Sequence, residues 1–217
     1  MLIDFSSVHF RALLGGFRWT VQLSLISFVL GGLVGFLVAL CRTSTQRGVV
    51  FAASWYIRLI QGSPMLVIMF VTFFGLPIIG LDASPLTAAT IGMTLFASAF
   101  LGEIWRGCIQ SVPRTQWEAA DCLGLSYALR MSLVILPQAL RIATPPTVGF
   151  MVQIVKNTSL VSVIGMAEMT YIGKLINAST YQPVTTYLII AALYFSLCFP
   201  LSWCSRSLER KLNVGRR

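Results

Sequence analysis

Long runs of apolar residues without any charge are the feature that most constrains how this chain can fold. One run extends from Trp19 to Cys41 and is bounded by Arg18 and Arg42. As a helix rising about 1.5 Å per residue, it is long enough to cross the roughly 30 Å hydrocarbon core of a bilayer. Only 11% of the residues are charged, whereas roughly a quarter are charged in soluble domains. The sequence therefore predicts an all-α integral membrane protein.

Further runs of this kind predict about five transmembrane helices in a single domain that covers residues 1–217. The predicted spans are residues 19–41, 60–80, 85–105, 137–157 and 184–204. The fourth span is the least regular, because it contains Pro145 and Pro146 and its uncharged stretch, from Arg141 to Lys156, is short. Proline removes a hydrogen bond from the helical ladder. An interrupted helix, supported by protein neighbours, is expected there.

The distribution of basic residues predicts the orientation of these spans. With five spans and the N-terminus outside, most of the 16 Lys and Arg residues lie in the internal segments, including the C-terminal cluster from Arg206 to Arg217. Cytoplasmic segments of membrane proteins are enriched in Lys and Arg. The C-terminus is therefore expected in the cytoplasm, and the net charge of +9 does not indicate a nucleic-acid partner.

Two smaller features bear on packing and connections. Gly31, Gly32 and Gly35 lie on one side of the first span, as expected where another helix approaches closely. Residues 82–85 are expected to form a short turn. Residues 158–183 are expected to form short helical or irregular pieces, with Glu168 and Lys174 exposed or paired.

A short polar stretch between the apolar runs carries the most specific motif. Glu118-Ala119-Ala120 is followed after three residues by Gly124, and after nine more by the sequence Val134-Ile135-Leu136-Pro137. Residues 116–123 are predicted to form about two helical turns, with Trp117 and Ala120 on one apolar stripe that a partner protein can contact. Gly124 permits a positive φ, so the chain can reverse there and begin another helix.

This spacing resembles the EAA loop of ATP-binding-cassette (ABC) importer permeases, with Val134 in place of the usual Ile. The flanking residues 109–113 and 135–141 are similar to the branch that carries polar amino acids. The resemblance implies the type I (MetI-like) importer permease fold and a cytoplasmic loop, at about residues 107–136, that docks on an ATPase. The residues that it assigns to ATPase coupling are Trp117, Glu118, Ala119, Ala120, Gly124, Leu136 and Pro137.

Polar residues within the spans and at their breaks are candidates for a substrate path, and two of these stretches resemble family signatures. Gly62-Ser63-Pro64 is similar to a Gly-Thr-Pro signature of the family, although Arg58 stands where an acid is common and Gln61 replaces a common Arg. Lys156-Asn157-Thr158-Ser159 is similar to Lys-Asp-Thr-Ser, with Asn157 in place of the acid, which weakens the case for a cationic substrate. The predicted path residues are Glu103, Lys156, Asn157, Thr158, Ser159, Gly62, Ser63 and Pro64.

Two of these ionisable residues have a second interpretation. Glu103 lies inside a predicted span, where it either lines an aqueous path or forms an ion pair with Arg106 three residues later. Lys156 either lines the path or extends its amine to the membrane interface. The sequence leaves both alternatives open.

The sequence predicts no site for chemistry in this chain. Its one Gly-Lys pair, Gly173-Lys174, is followed by Leu175, so no P-loop is present. His9 is the sole histidine, and neither a catalytic pair nor metal-ligand spacing is found. No catalytic residue, metal site or resident cofactor is predicted, and ATP and Mg are expected on a separate ATPase.

The resemblance implies an import system for polar amino acids in the bacterial cytoplasmic membrane. Its expected partners are a second permease chain (a copy or a paralogue), two cytoplasmic ATPases, an extracytoplasmic solute-binding protein and the lipid bilayer. The alternative function is a secondary transporter or channel subunit that uses an ion gradient, for which an inverted repeat or several mid-span acids would be expected. A membrane enzyme is the third alternative.

Overall fold

The protein is entirely helical over the residues that the computed structural model describes, which are 5–81 and 84–213. Part of the turn predicted at residues 82–85, and the basic residues after Asn213, lie outside these ranges. The helices in chain order are α1 Ser7–Arg42, α2 Arg47–Gln61, α3 Met65–Ile78, α4 Pro85–Gln110, α5 Arg114–Cys122, α6 Tyr127–Leu129, a π-helical segment Arg130–Ile135, α7 Leu136–Val161, a 3-10 turn Ser162–Ile164, α8 Met169–Thr180 and α9 Pro183–Asn213.

Four of these described segments are long and apolar enough to cross a membrane. They are α1, α4, the continuous helix Tyr127–Ile164 and residues Pro183–Leu212 of α9. The helices α2 and α3 meet this criterion only together, as a pair bent by 102°. The count agrees with the prediction of about five spans, the second of which is broken.

Close packing of α1 on α4 forms the centre of the fold. Gly31 and Gly35 are buried against α4, where a side chain on Gly31 would overlap Ala97 and one on Gly35 would come within 2.9 Å of the Ser98 carbonyl oxygen. Gly32 faces the Trp105 ring. The prediction that these glycines admit a neighbouring helix is confirmed.

The prediction of an interrupted fourth span is wrong, because the helix continues through Pro145 and Pro146. Its neighbours satisfy polar groups around the prolines: Ser205 of α9 donates a hydrogen bond to the Pro145 carbonyl oxygen at 2.8 Å. Thr147, which directly follows Pro146, accepts a 2.8 Å hydrogen bond from the Trp105 indole of α4. Helices that are packed between protein neighbours tolerate proline in this way.

The prediction that Glu168 is exposed or paired is also wrong, since the residue is fully buried and has no ion pair among the described residues. Its carboxylate accepts hydrogen bonds from the Thr20 hydroxyl of α1 at 3.3 Å, the Tyr194 hydroxyl of α9 at 3.0 Å and the Tyr171 backbone N–H at 2.9 Å. Glu168 therefore caps α8 and joins it to two spans. Lys174 is exposed and donates to the Ser162 hydroxyl.

Candidate coupling loop and translocation path

The helix predicted at residues 116–123 is α5, a nine-residue helix that begins at Arg114 and ends at Cys122. Beyond it Gly124 adopts a φ of +67° and donates its N–H to the Asp121 carbonyl oxygen, while Leu125 donates to that of Ala120. These bonds satisfy carbonyls at the helix end and reverse the chain. The predicted turn at Gly124 is confirmed.

The sequence predicts that the apolar stripe of α5 faces outward, but in the structure this stripe faces the interior of the chain. Ala120 is only 2% exposed, and Trp117 packs against a cluster formed by the chain itself. The buried members of this cluster are Ile109, Val112, Met131, Ile135 and Ala139. The stripe therefore fixes α5 to the end of α4 and the start of α7, because burying these side chains removes apolar area from water.

The opposite face of α5 is the one free to contact another molecule. Glu118 and Ala119 are exposed, and Leu123 is 77% exposed just beyond the helix. Glu118 forms an ion pair with Arg114 at 3.3 Å, and both side chains remain largely in solvent. We define Arg114, Glu118, Ala119, Cys122 and Leu123 as the outer face of α5.

A second attachment holds α5 to the helix that follows it. Arg130, the first residue of the π-helical segment, forms an ion pair with Asp121. Its guanidinium lies 5.9 Å from the ring centroids of both Trp117 and Tyr127, within the range of cation–π attraction. The Tyr127 hydroxyl in turn donates to the Thr43 carbonyl oxygen beyond α1.

The motif does not single out Arg130, Asp121 or Tyr127. The available signal is a pair of opposite charges on either side of the Gly124 turn, each with an aromatic residue about one helical turn before it. Leu136 and Pro137, which the motif did identify, begin α7; Leu136 packs partly against the same cluster and Pro137 is exposed.

Glu103 lies in an ion-pair network at the end of α4. Arg106 donates to it from Nε at 2.9 Å and also from Nη2, and Arg42 of α1 lies 3.8 Å away. Arg42 additionally donates to the Ser54 hydroxyl of α2. The ion-pair alternative for Glu103 is thus the arrangement that the structure contains, and the network joins three helices.

The predicted residues of α7 divide between an exposed and a buried side. Lys156 is exposed, one turn after the exposed Gln153. Asn157 and Thr158 are buried: the Asn157 side-chain oxygen accepts from Gln153, and the Thr158 hydroxyl lies 3.3 Å from that of Tyr194. Ser159 donates to the Lys156 carbonyl oxygen. We call Gln153 and Lys156 the polar face of α7.

Gly62, Ser63 and Pro64 form the sharp break between α2 and α3. Gly62 ends α2, Ser63 donates its hydroxyl to the Leu59 carbonyl oxygen at 2.8 Å, and Pro64 precedes α3. Ile60 and Met65, on either side of the break, belong to the same core cluster as Ile154 and Val161 of α7. The break therefore lies close to the helix that carries Lys156–Ser159, whereas Glu103 belongs to a separate network.

Exposed polar residues precede the break as well. Arg58 and Gln61 are exposed one turn apart on α2, and the Gln61 amide approaches the Ala99 carbonyl oxygen at 3.4 Å. We call Arg58 and Gln61 the polar face of α2. Polar side chains in membrane helices usually face protein or an aqueous cavity, because their exposure to lipid is costly.

Comparisons with known proteins agree with this geometry. Residues 31–214 match the family described as binding-protein-dependent transport system inner membrane component. The chain is 36% identical to the probable amino-acid ABC transporter permease protein YckA of Bacillus subtilis, over 93% of this chain and 89% of the relative. It is 35% identical to the L-cystine transport system permease protein TcyB of the same organism, over 92% and 86%.

Two solved structures share the fold. A crystal structure of an amino acid ABC transporter with histidines contains a chain that is 33% identical, with a TM-score of 0.89 over 97% of this chain and 100% of that chain. A chain of the MetNI methionine ABC transporter, in an inward-facing conformation, is 18% identical and has a TM-score of 0.80 over 96% and 99%. The second likeness bears on the fold alone.

Proposed function

Because the chain belongs to the family of binding-protein-dependent transport system inner membrane components, we propose that it is the permease subunit of an ABC importer for amino acids. The family places it in the inner membrane as a transport component, not an enzyme, and implies a solute-binding protein and an ATPase as partners. The amino acid substrate is proposed from the relatives, whose names refer to amino acids in general, cystine, glutamine and arginine.

The observation that carries the proposal is the attachment of α5 to the helix Tyr127–Ile164 by packing and an ion pair. One face of α5 is buried against Met131 and Ile135, and Asp121 is paired with Arg130, whereas the outer face is free. An ATPase that moves the outer face therefore moves Lys156–Ser159 with it. Nucleotide shifts the transporter between two states only if the ATPase interacts differently with each of them.

We place the translocation path along the polar faces of α2 and α7. Ile60 and Met65, which flank the break, share one core cluster with Ile154 and Val161 of α7, which flank the segment Lys156–Ser159. A shift of α7 therefore changes the packing next to both segments. Glu103 is assigned to stability, because Arg106 and Arg42 already occupy its carboxylate. ATP and Mg are assigned to the partner ATPase.

A second permease chain, either a copy or a paralogue, is part of the proposal, as are two ATPases. The most apolar stretch of α9 is only 17% buried within this chain, against 56% for α4. Lipid covers apolar side chains, but the polar faces of α2 and α7 need water or protein. A pair of permease chains that encloses the path between them would supply water or protein to both polar faces.

The test is disulfide or thiol crosslinking from α5. Cys122 and Cys204 are both exposed, so variants that retain only one of them form a matched pair. The Cys122-only protein should crosslink to the copurifying ATPase and be labelled by impermeant maleimide in inside-out vesicles, and the Cys204-only protein should not crosslink. Recovery without any ATPase, together with gradient-driven uptake by the chain alone, would contradict the proposal in favour of a secondary transporter.

A further inference from the structure

We propose that the solute which this permease carries is anionic, with an acidic amino acid as the simplest case, and that Arg58 and Lys156 select it. The inference rests on the proposed import function and adds the charge class of the substrate. The argument compares the charged groups of the described helices: the acidic side chains are paired or lie away from the path, whereas Arg58 and Lys156 have no partner.

The acidic residues of the described chain are all occupied or lie away from the path. Glu103, Glu118 and Asp121 each form an ion pair with an arginine. Glu168 is fully buried beneath hydroxyl and backbone donors. Glu209 lies in the last turns of α9, next to Arg210 and Lys211. Within the described residues, no free carboxylate is left along the path to hold a cationic solute.

Two cations, in contrast, lie free on the proposed path. Among the described residues, neither Arg58 nor Lys156 forms an ion pair or a side-chain hydrogen bond, and both are exposed. Each has a glutamine one turn away, Gln61 or Gln153. An unpaired cation in a membrane helix is costly unless it faces water or an anion. An anionic solute supplies that partner each time it passes.

The surroundings of Arg58 are suited to an anion. Arg58 lines a groove of about 320 Å³ between α2 and the α1–α2 connection. Its other lining residues are Ser44, Thr45, Arg47, Val50, Phe51, Ser54 and Trp55. Ser54 lies one turn before Arg58 on α2, and its hydroxyl already accepts from Arg42 and donates to the Val50 carbonyl oxygen. The groove thus holds two guanidinium groups and three hydroxyls, and no acid.

The residue that follows Lys156 in α7, Asn157, carries a buried amide. The side-chain nitrogen of Asn157 is buried and has no acceptor among the described residues. Its oxygen is already occupied by the Gln153 amide at 3.0 Å. A ligand beside Lys156 therefore meets an exposed ammonium group, which requires an acceptor such as a carboxylate. A cationic side chain would meet repulsion instead.

The experiment measures selectivity without the binding protein, which could otherwise impose its own. The detergent-solubilised permease–ATPase complex is equilibrated with radiolabelled glutamate, glutamine or arginine. Glutamate should bind most tightly and arginine least. Lys156→Gln and Arg58→Gln should each weaken glutamate binding about tenfold or more, as expected for loss of a charge-assisted hydrogen bond, and change glutamine binding by less than about threefold.

Two further variants serve as controls. Arg18→Gln removes an exposed cation from α1, away from the path, and should leave all three affinities unchanged. Lys156→Arg keeps the charge and should retain the preference for glutamate. Preferential binding of arginine, or an equal loss for all three solutes in Lys156→Gln, would overturn the inference while leaving import itself intact. Failure of the proposed function would instead appear in the wild type: the permease would copurify with no ATPase and would support no uptake.

A lipid phosphate is the other anion that the Arg58 groove could hold. The binding measurement is therefore repeated in nanodiscs of phosphatidylcholine alone and of phosphatidylcholine with phosphatidylglycerol. The solute assignment predicts the same Arg58→Gln effect in both. An effect that appears only with the anionic lipid would overturn the assignment of Arg58 to the solute.

Discussion

The side chains of Asp121 and Arg130 form an ion pair across the turn at Gly124 and so attach the last turn of α5 to the helix that follows. Arg130 also lies beside the Trp117 and Tyr127 rings. The segment from Arg130 to Ile135 is π-helical, a conformation that is often found at functional sites. In the proposed mechanism, this junction transmits movement of α5 to α7.

Arg130→Met should weaken this attachment by about 1–2 kcal/mol, because it removes an ion pair and two cation–π contacts. The expected result is several-fold lower solute-stimulated ATP hydrolysis with normal basal hydrolysis, measured on the reconstituted importer. Arg141→Met, which removes an exposed cation from α7, should have no such effect. Exchange of the two charges, Asp121→Arg with Arg130→Asp, should restore part of the stimulation; equal loss of basal and stimulated hydrolysis would contradict the assigned role.

The turn itself gives a second prediction. Gly124 has a φ of +67° and no atom within 4 Å of the position that a Cβ would occupy, so any substitution acts through the backbone alone. Gly124→Ala should cost about 1 kcal/mol and reduce uptake, whereas Gly124→Asn should retain most of it, since Asn tolerates left-handed backbone. Uptake rates normalised to membrane-inserted protein distinguish the two. Similar rates for both variants would show that the conformation of this turn does not limit transport.

The contact between α1 and α4 can be tested by a compensating pair. Gly31→Ala should destabilise the protein by about 1–3 kcal/mol, because the new methyl group overlaps Ala97. Gly32→Ala is the matched control, since its Cβ would only reach ordinary contact with Trp105 at 3.5 Å. The double variant Gly31→Ala with Ala97→Gly moves the methyl group to the other helix and should recover most of the loss. Thermal unfolding in detergent measures all three.

Several of these features could be predicted from the sequence because they depend on local chemistry. Uncharged runs predict where helices cross the membrane, a stripe of glycines predicts a close neighbour, and Gly124 after a polar helix predicts a turn. The Glu103–Arg106 ion pair is one of the two alternatives that the sequence offers for Glu103, because the two residues are one helical turn apart.

The features that could not be predicted depend on residues distant in the chain. Trp117 turns inward because Met131 and Ile135 of the next helix lie beneath it. The helix that contains Pro145 and Pro146 is held on both sides, by hydrogen bonds from Trp105 of α4 to Thr147 and from Ser205 of α9 to the Pro145 carbonyl oxygen. Glu168 is buried because its donors come from Thr20 and Tyr194, on two other spans. Periodicity and motif spacing carry no information about such contacts.

Glu103 gives a prediction that separates stability from transport. Glu103→Gln removes the charge that pairs with Arg106 and Arg42 and should lower the free energy of unfolding by about 1–3 kcal/mol. Folded protein should therefore decrease, whereas KM for uptake stays unchanged. The double variant Glu103→Gln with Arg106→Gln should recover part of the lost protein. A changed KM with normal protein levels would instead indicate that Glu103 lines the substrate path.

The buried carboxyl of Glu168 gives a prediction about pH. Glu168 lies in the connection between two spans, where burial raises its pKa above the ordinary value of 4.5, although its backbone and hydroxyl donors act in the opposite direction. A raised pKa in the folded state means that folding favours the protonated form. Stability from this group is therefore fully present below about pH 4.5 and is lost as the pH rises through the folded-state pKa.

Glu168→Gln should remove this pH dependence, because an amide can keep the hydrogen bond from Tyr171 and donate to the hydroxyl oxygens of Thr20 and Tyr194 without a charge. Thermal unfolding of both proteins between pH 4.5 and pH 8 measures the difference. The wild-type Tm should fall relative to that of the variant as the pH rises. Glu168→Ala should be less stable at every pH, because it leaves those groups without a partner. Parallel Tm curves for the wild type and Glu168→Gln would mean that the carboxyl stays in one protonation state throughout this range.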